Sequence, residues 1–64
     1  MKFYNFETMF LTLAEGLNKY LQDRGIYREV SGGSGFYHFE IKATPEQAKN
    51  INAWIERHTI TEQQ

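Results

Sequence analysis

The spacing of apolar residues in the first third of the chain is typical of a helix with one buried face. They recur at intervals of four and three residues, at Phe6, Phe10, Leu13, Leu17 and Tyr20. We therefore predict a helix over residues 6–23. Asn5 is placed to cap its N-terminus, Tyr4 to pack on Met9 as a hydrophobic staple, and Gly25 to end it.

Gly16 falls beside the apolar face of this predicted helix, between Leu13 and Tyr20. A glycine inside a helix costs about 1 kcal/mol of stability relative to alanine, so its presence calls for a structural reason. We predict that Gly16 forms a notch that admits a large neighbouring side chain, with Trp54 as the candidate.

Two segments rich in aromatic and β-branched residues, 26–30 and 36–42, flank the run Ser31-Gly32-Gly33-Ser34-Gly35 and predict a β-hairpin. A two-residue turn at Gly32-Gly33 would place Val30 opposite Gly35 and Ile26 opposite Phe39. This register gathers one apolar face, made of Ile26, Val30, Tyr37, Phe39 and Ile41, with Arg28 as its single misfit. The glycine-serine run also has the composition of an engineered flexible loop, and the sequence leaves that alternative open.

A capping-box pattern, Thr44-Pro45-Glu46-Gln47, marks the start of a second helix. Its apolar side carries Ala48, Ile51, Ile55 and His58, with Trp54 beside them. This spacing predicts a helix over residues 45–58 and a frayed tail over residues 59–64. The predicted fold is one α+β domain spanning residues 1–64, in the order α-β-β-α, with both helices packed on one face of the antiparallel hairpin.

Side chains alternate across a strand, so the hairpin has a second face that the predicted helices leave uncovered. Aromatic rings beside charged residues are the composition of interface centres with polar rims. We predict that this second face is a protein-binding surface, formed by Tyr27, Glu29, Phe36, His38, Glu40 and Lys42. A two-stranded sheet also has two unpaired edges, and pairing with a second copy would relieve them, so we expect a homodimer.

The composition narrows the class of protein. The chain has 64 residues, 41% of them hydrophobic, and no cysteine, so we expect a small folded domain without disulfides or thiolate metal sites. Seven basic and eight acidic residues give a net charge of −1 and form no long run of one sign. The segment after Met1 lacks a signal-peptide pattern and no stretch approaches a membrane span, so we expect a cytoplasmic protein. The chain starts with Met1 and has folding signals from Asn5 to His58, so we expect a complete small reading frame.

Two kinds of chemical site have weak support from the sequence. The candidate metal ligands are His38, Glu40, Glu56 and His58. Two histidines without cysteine make a poor ligand set, and we expect neither a metal nor another cofactor. Ser31 or Ser34 with His38 would supply a nucleophile and a base, but serine beside glycine is an ordinary turn residue, and we expect no enzymatic activity.

The segment Gly35-Phe36-Tyr37-His38-Phe39 resembles the central strand of RNA-recognition motifs, in which exposed aromatic rings stack on bases. The resemblance covers one strand and lacks the basic residue that leads the family's motif. It implies a nucleic-acid-binding accessory protein as the alternative function. Stand-alone proteins of this size usually act by binding a larger machine, as phage and plasmid accessory proteins do. We therefore predict a non-enzymatic protein-binding module that acts as an inhibitor or regulator.

Overall fold

A three-stranded antiparallel sheet and two helices make up the computed structural model, which describes the backbone of residues 1–62 and the side chains of residues 1–59. The strands are β1 (Lys2–Thr8), β2 (Tyr27–Gly33) and β3 (Phe36–Ala43), and the helices are α1 (Leu11–Asp23) and α2 (Pro45–Glu62). β3 lies in the centre of the sheet, between β1 and β2. The predicted α+β class is confirmed, but the element order is β-α-β-β-α rather than α-β-β-α.

The additional strand, β1, includes residues 6–8, which were predicted to begin the first helix. That helix was expected over residues 6–23 and instead begins at Leu11. Asn5 and Tyr4 lie in β1, so the predicted cap and the predicted hydrophobic staple are wrong. The N-cap position is Phe10, whose backbone N–H donates a hydrogen bond to the Thr8 hydroxyl over 3.1 Å.

Residues 2–8 satisfy the pattern of a strand as well as contributing to the helical run. Every second side chain, at Tyr4, Phe6 and Thr8, is half-buried or buried, and those between them are exposed. Residues 2–8 form a strand because they pair, antiparallel, with the free edge of β3. This partner lies far along the chain, so local periodicity carries no information about it. The predicted two-stranded hairpin is therefore the inner part of a larger sheet.

The hairpin of β2 and β3 closes two residues later than predicted. Its turn residues are Ser34 and Gly35, with φ of 55° and 85°, rather than Gly32 and Gly33. Positive φ at both positions is what a type I′ turn requires. Val30 consequently lies opposite Phe39. The pairing differs from the prediction by an even number of residues, so the predicted assignment of side chains to faces is kept.

Both helices pack on one face of the sheet, as predicted, and the core lies between the two layers. The buried cluster consists of Ala14, Leu17, Leu21, Ile26, Phe39, Ile41, Ala43 and Ile51. Burial of each large member contributes about 1.5 to 3 kcal/mol relative to leaving it in water. The face of the sheet turned toward the helices is called the inner face below.

The predicted notch at Gly16 and its predicted occupant are confirmed. A Cβ atom added at Gly16 would lie 3.2 Å from Cη2 of Trp54, closer than an ordinary carbon contact. The Trp54 ring also packs against Tyr20, with 5.3 Å between ring centroids, and stacks on His58 at 3.8 Å. The glycine therefore allows α1 to approach the indole ring of α2.

The capping box at the start of α2 forms as predicted. The Gln47 N–H donates to the Thr44 hydroxyl over 3.1 Å, and the Thr44 N–H donates to the Gln47 side-chain oxygen over 2.9 Å. The helix continues to Glu62, past the predicted end at residue 58. Residues 59–62 of the predicted frayed tail are thus helical, and residues 63 and 64 lie outside the described part of the chain.

Arg28, the charged misfit on the predicted core face, has a polar partner on the helix layer. It points to the inner face of β2, where its Nε donates a hydrogen bond to the Asn18 side-chain oxygen of α1 over 2.6 Å. Because β2 is an edge strand, this guanidinium is half-buried rather than enclosed in the core. The hydrogen bond to Asn18 accounts for a charge on a face that is otherwise apolar.

Candidate functional site

The face of the sheet turned away from the helices is called the outer face. It consists of Phe3, Asn5 and Glu7 of β1, Tyr27, Glu29 and Ser31 of β2, and Phe36, His38, Glu40 and Lys42 of β3. All six residues predicted to form a binding surface lie on it. The three residues of β1 were missed because no strand was predicted before the first helix, Asn5 was assigned as its cap and Glu7 to the helix itself. The alternation of apolar Tyr4 and Phe6 with polar Asn5 and Glu7 was the sequence signal that could have found them.

One end of the outer face carries two aromatic rings around a lysine. Lys42 lies opposite Phe3 on one side and opposite Tyr27 on the other. Phe3 is 57% exposed and Tyr27 50% exposed. The Lys42 Nζ lies 5.7 Å from the centroid of the Phe3 ring, within the range of a cation–π contact. This end of the outer face therefore presents aromatic surface to solvent beside one cation.

The centre of the outer face is acidic. Glu40 lies directly opposite Glu29, and like charges at opposed positions destabilise a sheet. The Tyr27 hydroxyl donates a hydrogen bond to Oε1 of Glu29 over 2.5 Å. That hydrogen bond raises the pKa of Tyr27 above its ordinary value, with smaller contributions from desolvation and from the charges of Glu29 and Glu40. Lys42 is the one lysine or arginine among the outer-face residues, so these carboxylates are incompletely balanced.

Glu7, His38 and Ser31 form a row across the three strands, next to the acidic centre. Nδ1 of His38 lies 3.0 Å from Oε1 of Glu7. An acid, an imidazole and a hydroxyl in this order resemble the groups of a hydrolase triad. However, no hydrogen bond joins Ser31 to His38 among the described residues, and the row stands on an open sheet face instead of in an enclosing pocket. Glu7 therefore orients the imidazole without completing an activated nucleophile.

The far end of the outer face is apolar. Phe36 is 48% exposed and borders a shallow groove with Met9 and Phe10 of the connection between β1 and α1. Met9 is itself 58% exposed. Exposed apolar side chains that adjoin one another mark interaction sites more often than single ones do. The outer face thus has an aromatic group at each end and carboxylates between them.

The four residues considered as metal ligands do not come together. His38 and Glu40 lie on the outer face, whereas Glu56 and His58 lie on α2, on the opposite side of the sheet. Over residues 1–62, no group of three or more histidine, aspartate and glutamate side chains is arranged to hold a metal ion. These candidate nitrogen and oxygen ligands therefore do not form one site.

Comparison with known proteins leaves the function to be inferred from the outer face itself. No protein-family profile, curated protein or solved structure significantly matches the chain. Neither helix, within the described residues, has the length and apolar character needed to cross a bilayer.

Proposed function

We propose that this protein is a cytoplasmic, non-enzymatic module that binds a protein partner through the outer face and inhibits or regulates it. The observation that carries the proposal is the composition of a sheet surface that the helices leave uncovered. Three aromatic rings, those of Phe3, Tyr27 and Phe36, are about half exposed there, next to a patch of carboxylates. Aromatic anchors with a polar surround are the residues that dominate binding energy at protein interfaces.

The charges of the outer face favour a partner that presents lysine or arginine side chains. Glu7, Glu29 and Glu40 stand against one lysine, Lys42, on this surface. A cation placed between Glu29 and Glu40 would relieve the repulsion of two carboxylates that face each other across neighbouring strands. Charge complementarity of this kind accelerates association and fixes the orientation of the partner.

The same charges count against nucleic acid as the ligand. Exposed rings could stack on bases, but most of the affinity for a phosphate backbone comes from lysine and arginine side chains. Here phosphates would approach Glu7, Glu29 and Glu40 with Lys42 as the one lysine or arginine of the face. Nucleic acid is therefore the alternative ligand, and the photocrosslinking experiment below distinguishes it from a protein.

Site-specific photocrosslinking in a lysate of the source organism tests the proposal. The photoreactive residue p-benzoylphenylalanine would replace Phe36 on the outer face or, as a control, Ala53 on the exposed surface of α2. We expect a discrete protein adduct from the probe at position 36 and none from the probe at position 53. An adduct that nuclease treatment removes, or equal labelling from both positions, would contradict the proposal.

Direct binding to the purified captured protein completes the test. The pair Glu7→Gln and Glu29→Gln on the outer face should weaken the affinity at least tenfold, because it removes two carboxylates from the binding surface. The pair Glu46→Gln and Glu56→Gln on α2 changes the net charge equally and should alter the affinity less than twofold. Equal effects of the two pairs would show that the outer face is not the binding surface.

A further inference from the structure

β2 presents an open sheet edge. On one side β2 pairs with β3. Apart from that pairing, no backbone hydrogen bond within residues 1–62 involves β2. The strand contains no proline and no lysine, and its one inward-pointing charge, Arg28, is held against the helix layer by Asn18. Its free N–H and C=O groups can therefore accept a further strand.

The turn geometry identifies which residues face this edge. A two-residue loop such as Ser34-Gly35 closes on a pair that exchanges both backbone hydrogen bonds, here Gly33 with Phe36. Because the pattern alternates along a strand, the N–H and C=O groups of Arg28, Val30 and Gly32 point away from β3. These three residues form the accessible edge of β2.

Apolar surface continues uncovered to the same edge. Val30 lies on the inner face yet is 47% exposed, and it borders a groove with Leu11, Ala14 and Tyr37. Leu11 is also 52% exposed. At the opposite edge of the sheet, Tyr4 and Phe6 of β1 are half-buried against α2. The helix layer therefore covers the inner face near β1 and, at Arg28, part of β2, but leaves it open around Val30.

We infer that two copies of this chain associate through β2, with the strands antiparallel and the twofold axis at Val30, so that their sheets become continuous. In this arrangement Val30 lies opposite Val30 of the second copy, and Arg28 lies opposite Gly32. All of these residues direct hydrogen-bonding groups to the edge, so each pair exchanges both backbone hydrogen bonds. The two exposed valines cover each other, and Leu11 lies beside them.

Charge and apolar contact together select this register among the symmetric alternatives. Side chains of directly opposed residues point to the same face, so a twofold axis must pass through one residue position of β2. An axis at Glu29 would oppose two glutamates, and an axis at Arg28 would oppose two arginines. An axis at Ser31 avoids these conflicts but places Val30 against Gly32. The axis at Val30 instead brings Glu29 opposite Ser31, where the hydroxyl can donate to the carboxylate.

Two lysine substitutions at adjacent positions test the interface. Size-exclusion chromatography with light scattering should give the wild-type protein a mass near twice the 7.6 kDa of one chain. Val30→Lys would place two cations opposite each other and should weaken the dimer at least tenfold. Ser31→Lys adds the same charge on the outer face, opposite Glu29, and should leave dimerisation unchanged or strengthen it. Circular dichroism checks that both variants are folded.

Two cysteine variants test the register in a chain that has no cysteine of its own. Hydrogen-bonded antiparallel pairs have Cα atoms about 5.5 Å apart, within the range that a disulfide spans. Val30→Cys should therefore oxidise rapidly to a covalent dimer. Ser31→Cys should not, because the two residues 31 lie about 8 Å apart when each opposes Glu29.

Three outcomes would overturn the inferred dimer. They are a monomeric wild type at a concentration of about 1 mM, a Val30→Lys variant that dimerises as well as the wild type, and a Ser31→Cys variant that crosslinks as fast as Val30→Cys. The inference does not rest on the proposed partner, because the outer face stays free in this dimer. Its failure and that of the proposed function are therefore distinguishable.

Discussion

Two phenylalanines three positions apart on the same strand differ sharply in burial. Phe39 is completely buried on the inner face of β3, whereas Phe36 is 48% exposed on the outer face. The residue type and the strand are the same, so the difference arises from what lies over each face. The helices cover the inner face, and no element of residues 1–62 covers the outer one. A ring that the fold does not bury contributes little to its stability and remains available for binding.

The comparison extends to polar groups. On the inner face, Arg28 is matched to Asn18 of the helix layer. On the outer face, Glu29 and Glu40 oppose each other across adjacent strands. Arg28 is thus paired within the fold, whereas the outer face, despite its pairs Glu7–His38 and Tyr27–Glu29, keeps the repulsion between Glu29 and Glu40.

The largest expected effect on stability is the difference between truncating Phe39 and truncating Phe36. Phe39→Ala should lower the free energy of unfolding by about 3 to 5 kcal/mol, because it leaves a cavity in the core. Phe36→Ala should change it by about 0.5 kcal/mol or less, as expected for a surface position. Urea denaturation followed by circular dichroism measures both. If Phe39→Ala does not fold, the milder Phe39→Leu should still be less stable than Phe36→Ala. Equal losses from Phe36 and Phe39 would contradict the distinction between the faces.

An intermediate effect is expected at the contact between the helices. Gly16→Leu should lower the free energy of unfolding by about 1 to 3 kcal/mol, because the added side chain must displace the Trp54 ring. Lys19→Leu introduces the same side chain at an exposed position of α1 and should change stability by about 0.5 kcal/mol or less. Thermal denaturation compares the two. A melting temperature of Gly16→Leu at or above that of the wild type would mean that α1 does not need the notch.

The smallest effect concerns the titration of Tyr27. Its pKa is raised chiefly by the hydrogen bond to Glu29, so the folded state favours the neutral phenol. The resulting stabilisation is present below the ordinary tyrosine pKa of 10.0 and is lost as the pH rises through the higher pKa of the folded protein. Absorbance at the tyrosinate band, taken as the difference between the wild type and Tyr27→Phe, isolates this group. Glu29→Gln should move its titration to lower pH, and an unmoved titration would exclude the contact with Glu29.

The parts of the fold that the sequence predicted depend on residues close together in the chain. Thr44 and Gln47 form the capping box within one helical turn, and the strand alternation from Phe36 to Lys42 assigns its two faces correctly. The face assignment withstood a misplaced turn because the error was an even number of residues. The notch at Gly16 was predictable because an interior glycine is unfavourable unless something large fills its place.

The missing strand shows why the candidate site could be predicted only in part. Phe6 fits both a helical run ending at Tyr20 and a strand that alternates with Glu7, and the local pattern does not choose between them. Pairing with β3 makes this segment a strand, and the strand adds Phe3, Asn5 and Glu7 to the outer face. Without β1, the partner of His38 could not be identified.

By itself, the sequence determined the α+β class, the two helices on one side of the sheet, and six of the residues that share the outer face. These follow from hydrophobic periodicity and turn chemistry, which are properties of short stretches of chain. The tertiary structure alone decided that residues 2–8 form a strand, that Glu7 contacts His38, and that β2 is left with an open edge beside Val30. Each of these depends on which distant segments pair. The free energy of that pairing depends on both segments together, so neither segment alone predicts it.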